Sequence, residues 1–439
     1  MGHMKRLTRR TLLRGAGATA AAAAALGPYF IRPSALGAGQ RPAPSNRIGA
    51  AVVGTGGQGG GHVGALCGQP DVQLLAVCDA DKGRREGHKQ AVEARYAKEA
   101  PGTYAGCGCY ADFRQVMARN DIDAVLIATP EHWHALVAIA AAKAGKDIYS
   151  EKPMAGTIAE GRAAADAVKR YGRVFQTGSQ ERSGQARFAC ELVRNGRLGR
   201  LHTIRTYLPV DGYTQGDVRP QPVPDGFDYD MWLGPRPWEP YTPQRCHFNF
   251  RWILDYSDGE LTDRGCHVND IALWGAGPLL AGTVEIEGTG KFRQDPLWNV
   301  PIQFHIEYAF SGGLKIICDT NGPRGIKFEG TDGWIFVAIH GGHLTAEPAS
   351  VLKSAIGPND IELHRSKGHH RDWIEAIKTR GPTVAPAEAG HRTASFCHLG
   401  LIALLTGRKI RWDWDNERFV NDPEAQRHVH RPMRPPWRL

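Results

Sequence analysis

The residues RIGAAVVGTGGQGGGHVGALC, from Arg47 to Cys67, join an apolar run of strand length to a knot of glycines and then to a stretch with helical character. Gly54-x-Gly56-x-x-Gly59 falls at that seam. In a chain with 53 glycines the spacing alone would carry little weight. Its context carries more, because a second apolar run, VQLLAVCD (72–79), ends on Asp79, 20 residues past Gly59. A carboxylate there can accept both ribose hydroxyls of an adenosine, while the backbone of Gly54, Gly56, Gly57, Gln58 and Gly59 approaches a pyrophosphate at a helix N-terminus. Asp79 favours NAD, since a 2′-phosphate would meet its negative charge; Arg84 and Arg85 leave NADP open.

A third apolar run, DAVLIAT (123–129), and alanine-rich segments of helix length, ALVAIAAAKAG (135–145) and IAEGRAAADAVKRYG (158–172), continue the alternation. Continuous apolar strands alternating with helices predict a parallel sheet covered on both faces. After RVFQTGS (173–179) the style changes. A proline- and aromatic-rich stretch (218–256) precedes segments such as PIQFHIEYAF, LKIICDT and GIKFEGTDGWIFVA, whose period-two pattern predicts a mostly antiparallel sheet. With 439 residues two domains are expected, divided as 47–175 and 176–439, after a signal at 1–37 and a linker at 38–46.

The first segment has a basic head, a weakly apolar alanine run and small residues near Ala35. Arg9 and Arg10, between Thr8 and Leu12, resemble the twin-arginine export signal, which predicts an exported, periplasmic or extracytoplasmic protein that meets the twin-arginine machinery already folded. The run is too short and too poor in large apolar residues for an anchor, so no membrane association is expected of the mature form. Removing this segment takes away six positive charges and no acids, lowering the formal charge from +9 to +3, a balance that gives no reason to expect nucleic acid. The remaining basic cluster, RHVHRPMRPPWRL at the C-terminus, reads as an arm fixed against the body. Nine dispersed cysteines, of which only Cys107 and Cys109 lie close together, predict free buried thiols and no metal site.

Two further stretches carry chemistry. DIYSEKPMAG (147–156) puts Glu151 and Lys152 at the carboxyl end of the predicted fifth strand, the edge where open α/β sheets bind ligands. Lys152 placed there can stabilise an alkoxide-like oxygen as hydride leaves its carbon, with Glu151 tempering its charge and Pro153 ending the strand. In GELTDRGCHVNDIALWG, Asp263, His267 and Asp270 would share one face of a helix, where His267 can take a hydroxyl proton beside a carboxylate that fixes its tautomer.

The glycine fingerprint, TPEHWHA (129–135), EKP (151–153) and Asp263-x-x-x-His267, in that order, resemble the Gfo/Idh/MocA oxidoreductases, the family of glucose-fructose oxidoreductase and the inositol dehydrogenases. The resemblance runs from about residue 47 to the C-terminus. It implies an α/β fold, with a Rossmann domain followed by an α+β domain with a large open sheet. It also implies Lys152, Asp263 and His267 as the catalytic set, Thr129, Pro130, His134 and Glu151 beside the cofactor, a cis Lys152–Pro153 bond and a homo-oligomer; His132 has no assigned role. Gln180, His247, Arg251, Tyr256 and Asp270 are candidate substrate contacts. Trp238, Tyr241, Trp252 and Tyr256 offer flat faces to a sugar ring, or else pack a hinge between the domains.

An exported enzyme of this type must keep its NAD bound and return the hydride in the same site. Oxidation of one sugar or polyol with reduction of a second carbonyl compound meets that need, and the intact EKP favours it. Transient oxidation of a glycoside, elimination and re-reduction, as in NAD-dependent glycosidases, is the alternative. A binding protein without chemistry is the third reading, disfavoured by three filled catalytic positions.

Overall fold

The computed structural model describes residues 41–99, 104–210, 216–340 and 342–439. The twin-arginine segment lies outside them. The short stretch up to Arg47 holds one 3-10 turn, Pro44–Asn46. Everything from Ile48 to Leu439 forms one compact unit built on two sheets.

The first sheet has strands β1 (Ile48–Val53), β2 (Val72–Cys78), β3 (Gly108–Tyr110), β4 (Ala124–Ile127), β5 (Asp147–Ser150) and β6 (Phe175–Thr177) in the order β3-β2-β1-β4-β5-β6, all parallel. Each run is apolar throughout because both faces are covered. Ile48, Ala50 and Val52 of β1 face α1 (Gly57–Cys67) and α2 (Lys82–Glu99) through Val63, Leu66 and Val92, whereas Ala51 and Val53 belong to the opposite layer. That layer holds α3 (Phe113–Met117), α4 (Glu131–Lys143) and α5 (Ile158–Arg170). Val52, Val77 and Leu126 are fully buried, each contributing about 1.5–3 kcal/mol through lost water contact. The order reverses between β1 and β4, which opens a crevice at the carboxyl ends of the strands.

The second sheet comprises β7 (Leu201–Tyr207), β8 (Thr283–Phe292), β9 (Pro301–Phe310), β10 (Lys315–Asp319), β11 (Gly325–Gly330), β12 (Gly333–Ala338), β13 (Leu344–Glu347), β14 (Ile410–Asp413) and β15 (Arg418–Phe419). Its order is β13-β12-β11-β7-β10-β9-β8-β14-β15, antiparallel except for β7 against β10. One face is apolar: Ile204, Ile286, Ile306, Ile316 and Phe328 pack under α6 (Ala186–Arg194), α8 (Gly265–Ala276) and α10 (Ala387–Thr406), while α7 (Tyr229–Leu233) and α9 (His369–Thr379) belong to other clusters. The chain is thus α/β, with a parallel six-stranded sheet followed by a mostly antiparallel nine-stranded one. Helix α10 bridges them, packing against α5 and β6 on one side and α8 and β8 on the other.

One sequence expectation is corrected here, and another is decided between its two readings. Helix α8 begins at Gly265, so Asp263 stands in the turn before it and does not share a helical face with His267 and Asp270. Tyr241, Trp252 and Tyr256 form a core with Trp232 and Trp298, Trp252 and Tyr256 being only 1% exposed, so these faces pack protein rather than sugar. Trp238 stands 62% exposed on the surface. The C-terminal arm lies on the body: Trp437 meets Trp133 at 4.6 Å between ring centres, and Arg434 donates to the Gly234 carbonyl. Among the described residues no helix is long and apolar enough to cross a membrane, and no three His, Cys, Asp or Glu side chains group to hold a metal ion.

Candidate active site

A cavity of about 850 Å³ opens at the carboxyl ends of the first sheet's strands. Its floor is the turn between β1 and α1. Gly54 has φ +87°, and a Cβ on Gly59 would sit 1.9 Å from the Gly54 carbonyl oxygen, so only glycine lets the helix start this close to the strand. Nothing lies within 4 Å of a Cβ built on Gly57, and no side chain caps the helix. Asp79, at the end of β2, accepts from the Thr55 amide at 2.7 Å through one oxygen and from the Asp81 amide at 2.9 Å through the other, which fixes the carboxylate at the cavity wall. Arg84 also lines the wall, while Arg85 donates to the Asp79 and Ala80 carbonyls. Deeper in, the buried Thr129 hydroxyl has no partner among the described residues. A glycine cradle, a fixed carboxylate and an orphaned hydroxyl in one crevice fit a dinucleotide cofactor.

Lys152 follows β5 and Pro153 follows it through a cis bond. Its ammonium crosses to the other half of the chain, donating to the Asp263 carboxylate at 2.5 Å and the Asp263 carbonyl at 2.7 Å. Arg251 binds the second carboxylate oxygen at 3.0 Å. Burial disfavours the Lys152 charge, but Asp263 and Glu151 outweigh it and raise the amine, so it stays an ammonium with one of its three donors left for the cavity. Burial likewise opposes the Asp263 charge, and Lys152 and Arg251 overcome it, holding that carboxyl below its usual range. The carboxylate therefore serves Lys152 and Arg251 and does not orient His267.

His267 lines the same cavity, with its Nδ1 buried and without a partner among the described residues. Burial and then the neighbouring ammonium push the ring down to about 3, so it is neutral, with a lone pair free on one ring nitrogen. Glu151 is fully packed: His62 Nε2 lies at 2.8 Å, Gln180 donates at 3.0 Å and Gln58 at 3.2 Å. Burial raises this carboxyl, yet His62 and Lys152 bring it down to about 2. A Cβ on Gly178 would lie 2.6 Å from that carboxylate, so the glycine makes its room. His134 sits between the Pro153 and Thr129 carbonyls, at 2.6 and 2.8 Å, tying α4 to the strand ends next to Pro130.

The cavity gathers Gly54, Gly56, Gly57, Gln58, Asp79, Thr129, Pro130, His134, Glu151, Lys152, Gln180, His247, Arg251, Asp263 and His267. Gly59 stands just behind, under the turn. Two of the candidate substrate contacts lie elsewhere. Asp270 is buried in a two-pronged pair with Arg182 at 2.6 and 2.7 Å, and Tyr256 packs against His132 and Trp232. His132 itself bonds the Trp232 carbonyl at 2.9 Å and braces the same core.

Sequence reasoning passed over His62, Glu131, Glu181 and His340. His340 carried a signal in retrospect: it stands between the predicted strand segment GIKFEGTDGWIFVA and a Gly-Gly pair, a composition that marks a turn. Glu131 lay inside a quoted motif. It is buried at the start of α4, accepting from Ser257 Oγ at 2.8 Å and Thr262 Oγ1 at 3.1 Å, and so latches the loop that carries Asp263. Burial, reinforced by the Asp263 charge, pushes its carboxyl up to about 8. The native state thus keeps a proton that the unfolded chain releases near 4.5. Between those values stability falls as pH rises, by about 1.4 kcal/mol per pH unit from this group, and levels off above. Glu131→Gln is expected to abolish that slope, so urea unfolding should show the variant gaining on the wild type across the window. Parallel curves would mean the carboxyl ionises at its ordinary value.

Comparison with known proteins adds to this geometry. Residues 48–179 match the model of an oxidoreductase family's NAD-binding Rossmann fold, and residues 211–439 match that family's C-terminal alpha/beta domain. The chain is 29% identical over 222 residues to a glycosyl hydrolase family 109 protein of Shewanella baltica, covering 47% of this chain and 47% of that one. It is 42% identical over 99 residues to a levoglucosan dehydrogenase of Pseudarthrobacter phenanthrenivorans, covering 22% and 25%. The chain therefore spans half or less of the length of these relatives. A solved levoglucosan dehydrogenase in complex with NADH and levoglucosan shares the fold, with a TM-score of 0.58 and 19% identity over 83% of this chain and 99% of that one.

Proposed function

Because the chain belongs to the Gfo/Idh/MocA oxidoreductase family, we propose that it moves hydride between a tightly held NAD and a hydroxyl-bearing carbon of a sugar, glycoside or polyol. The observation that carries this reading is the meeting of the Lys152 ammonium, the Asp263 carboxylate and the neutral His267 ring in the cavity that holds the glycine turn and Asp79. A bound nicotinamide supplies the hydride acceptor and donor. The chain's own residues do the rest. Asp263 and Arg251 fix Lys152, whose remaining N–H points charge at the hydroxyl oxygen as its proton leaves. His267 accepts that proton through Nε2. The Asp79 carboxylate at the cavity wall would repel the 2′-phosphate of NADP, which supports NAD.

A second reading, redox-neutral glycoside cleavage, is supported by the likeness to the Shewanella glycosyl hydrolase family 109 protein. Both readings suit an exported enzyme that keeps its cofactor, carried by the twin-arginine route and assembled as a homo-oligomer. The test is to purify the mature protein, extract and identify its nucleotide, and record the near-ultraviolet band of reduced nicotinamide while adding sugars, polyols and glycosides, with product analysis. A persistent band supports oxidoreduction, and glycoside cleavage without net reduction supports the second reading. A protein with no nucleotide and no response would be a binding protein.

A further inference from the structure

Given hydride transfer at this site, we infer that His340, held by Glu181, is a second acid–base group of the cavity, which removes the proton from the substrate carbon next to the oxidised one. His340 stands just past β12, and Glu181 lies in the 3-10 turn Gln180–Ser183 after β6. One oxygen of Glu181 makes both contacts: it lies 3.2 Å from His340 Nδ1 and accepts the His340 amide at 3.3 Å. A carboxylate at Nδ1 keeps the proton there, leaves the Nε2 lone pair free, and steadies the imidazolium once Nε2 is protonated.

Three observations set His340 apart from a surface histidine. Its φ is +63°, a left-handed conformation costly for a side chain with a Cβ, and such strain persists where the surroundings enforce it. Its side chain is 50% exposed, and the residue lines the cavity. Its ring meets His267 edge-on, 5.4 Å between centres at 77°. Hydride transfer with loss of a hydroxyl proton needs one acid–base group and one electrostatic donor, and His267 and Lys152 fill those roles. His340 is surplus to that reaction.

Oxidation creates work for it. Once a sugar carbon becomes a carbonyl, the neighbouring C–H is acidic. That bond breaks, its proton goes to His340 Nε2, and its electron pair forms the C=C of an enediolate whose oxygen faces the Lys152 ammonium. When the next carbon carries an alkoxy group, the pair expels that oxygen, which takes the proton back from His340. Water then adds to the resulting enone and hydride returns to the carbonyl, so the net reaction is hydrolysis with no outside oxidant. The substrate class is therefore a glycoside oxidised one carbon away from the one beside its leaving group.

Holoenzyme incubated in D2O with methyl glucosides, galactosides and N-acetylgalactosaminides tests this. Deuterium is expected at the carbon adjacent to the oxidised one in whichever glycoside reduces the bound nicotinamide. In His340→Asn, wash-in relative to cofactor reduction should fall about 100-fold, and in Glu181→Gln about 10-fold. Independently, ring 15N shifts should show His340 with its proton on Nδ1 and show that preference lost in Glu181→Gln. Reduction without wash-in, or equal relative wash-in in His340→Asn, overturns this role for His340 and leaves the oxidoreductase standing. No reduction by any sugar, polyol or glycoside overturns both.

Discussion

Under the proposed reading, Lys152→Met is expected to lower the rate of hydride transfer by about 10³-fold, with a smaller change in KM, because the ammonium would act mainly where charge develops. Two of its three donors are committed to the Asp263 carbonyl and carboxylate, which aims the third. Its surroundings keep it charged, so it cannot serve as the base; its contribution is electrostatic, about 3–4 kcal/mol. Lys152→Arg should not restore the rate, since a planar fork cannot reproduce one ammonium held by a turn carbonyl. Rapid-mixing measurement of nicotinamide reduction gives the rate, and nucleotide content after purification controls for a lost cofactor. A decrease of less than tenfold would move the role to another group.

Arg182→Met destabilises the protein by about 3–5 kcal/mol, the cost of leaving a buried carboxylate without its cation. Asp270 is 1% exposed and, without Arg182, retains only the Thr393 hydroxyl at 2.9 Å. The double variant Arg182→Met with Asp270→Asn should regain most of the loss, since no charge is then buried. Urea unfolding measures both. A single-variant loss under about 1 kcal/mol would mean that water reaches the pair.

The first sheet was legible because its strands are buried on both faces and its connections carry explicit turn chemistry. The runs at 47–54, 72–79 and 123–129 became β1, β2 and β4 nearly to the residue. Gly54 was legible for the same reason, since a left-handed φ leaves few residue choices. Strand β3 was not seen: Gly108–Tyr110 is too short for any period to show. Asp263 was placed on a helix because Asp263, His267 and Asp270 have helical spacing; the chain stays in a turn there, and Lys152 binds the carbonyl that an earlier helix start would have used. Asp270 was read as a site residue because spacing shows a face but not what packs on it. The aromatic stretch had two readings, and burial settled three of its four rings as core. Glu181 and His340 could not have been paired, since 159 positions of sequence separate them and only the crossing of the two sheets brings them together.

The eight buried cysteines, with Cys109 alone partly reachable, make the folded chain nearly invisible to thiol reagents. Cys266 and Cys397 lie 3.8 Å apart inside the packing of α8 and α10, so close neighbours stay hidden together. Labelling therefore reports history as well as state: each modified thiol beyond the first marks a molecule that opened, and the rate of modification in native buffer becomes a clock for that opening.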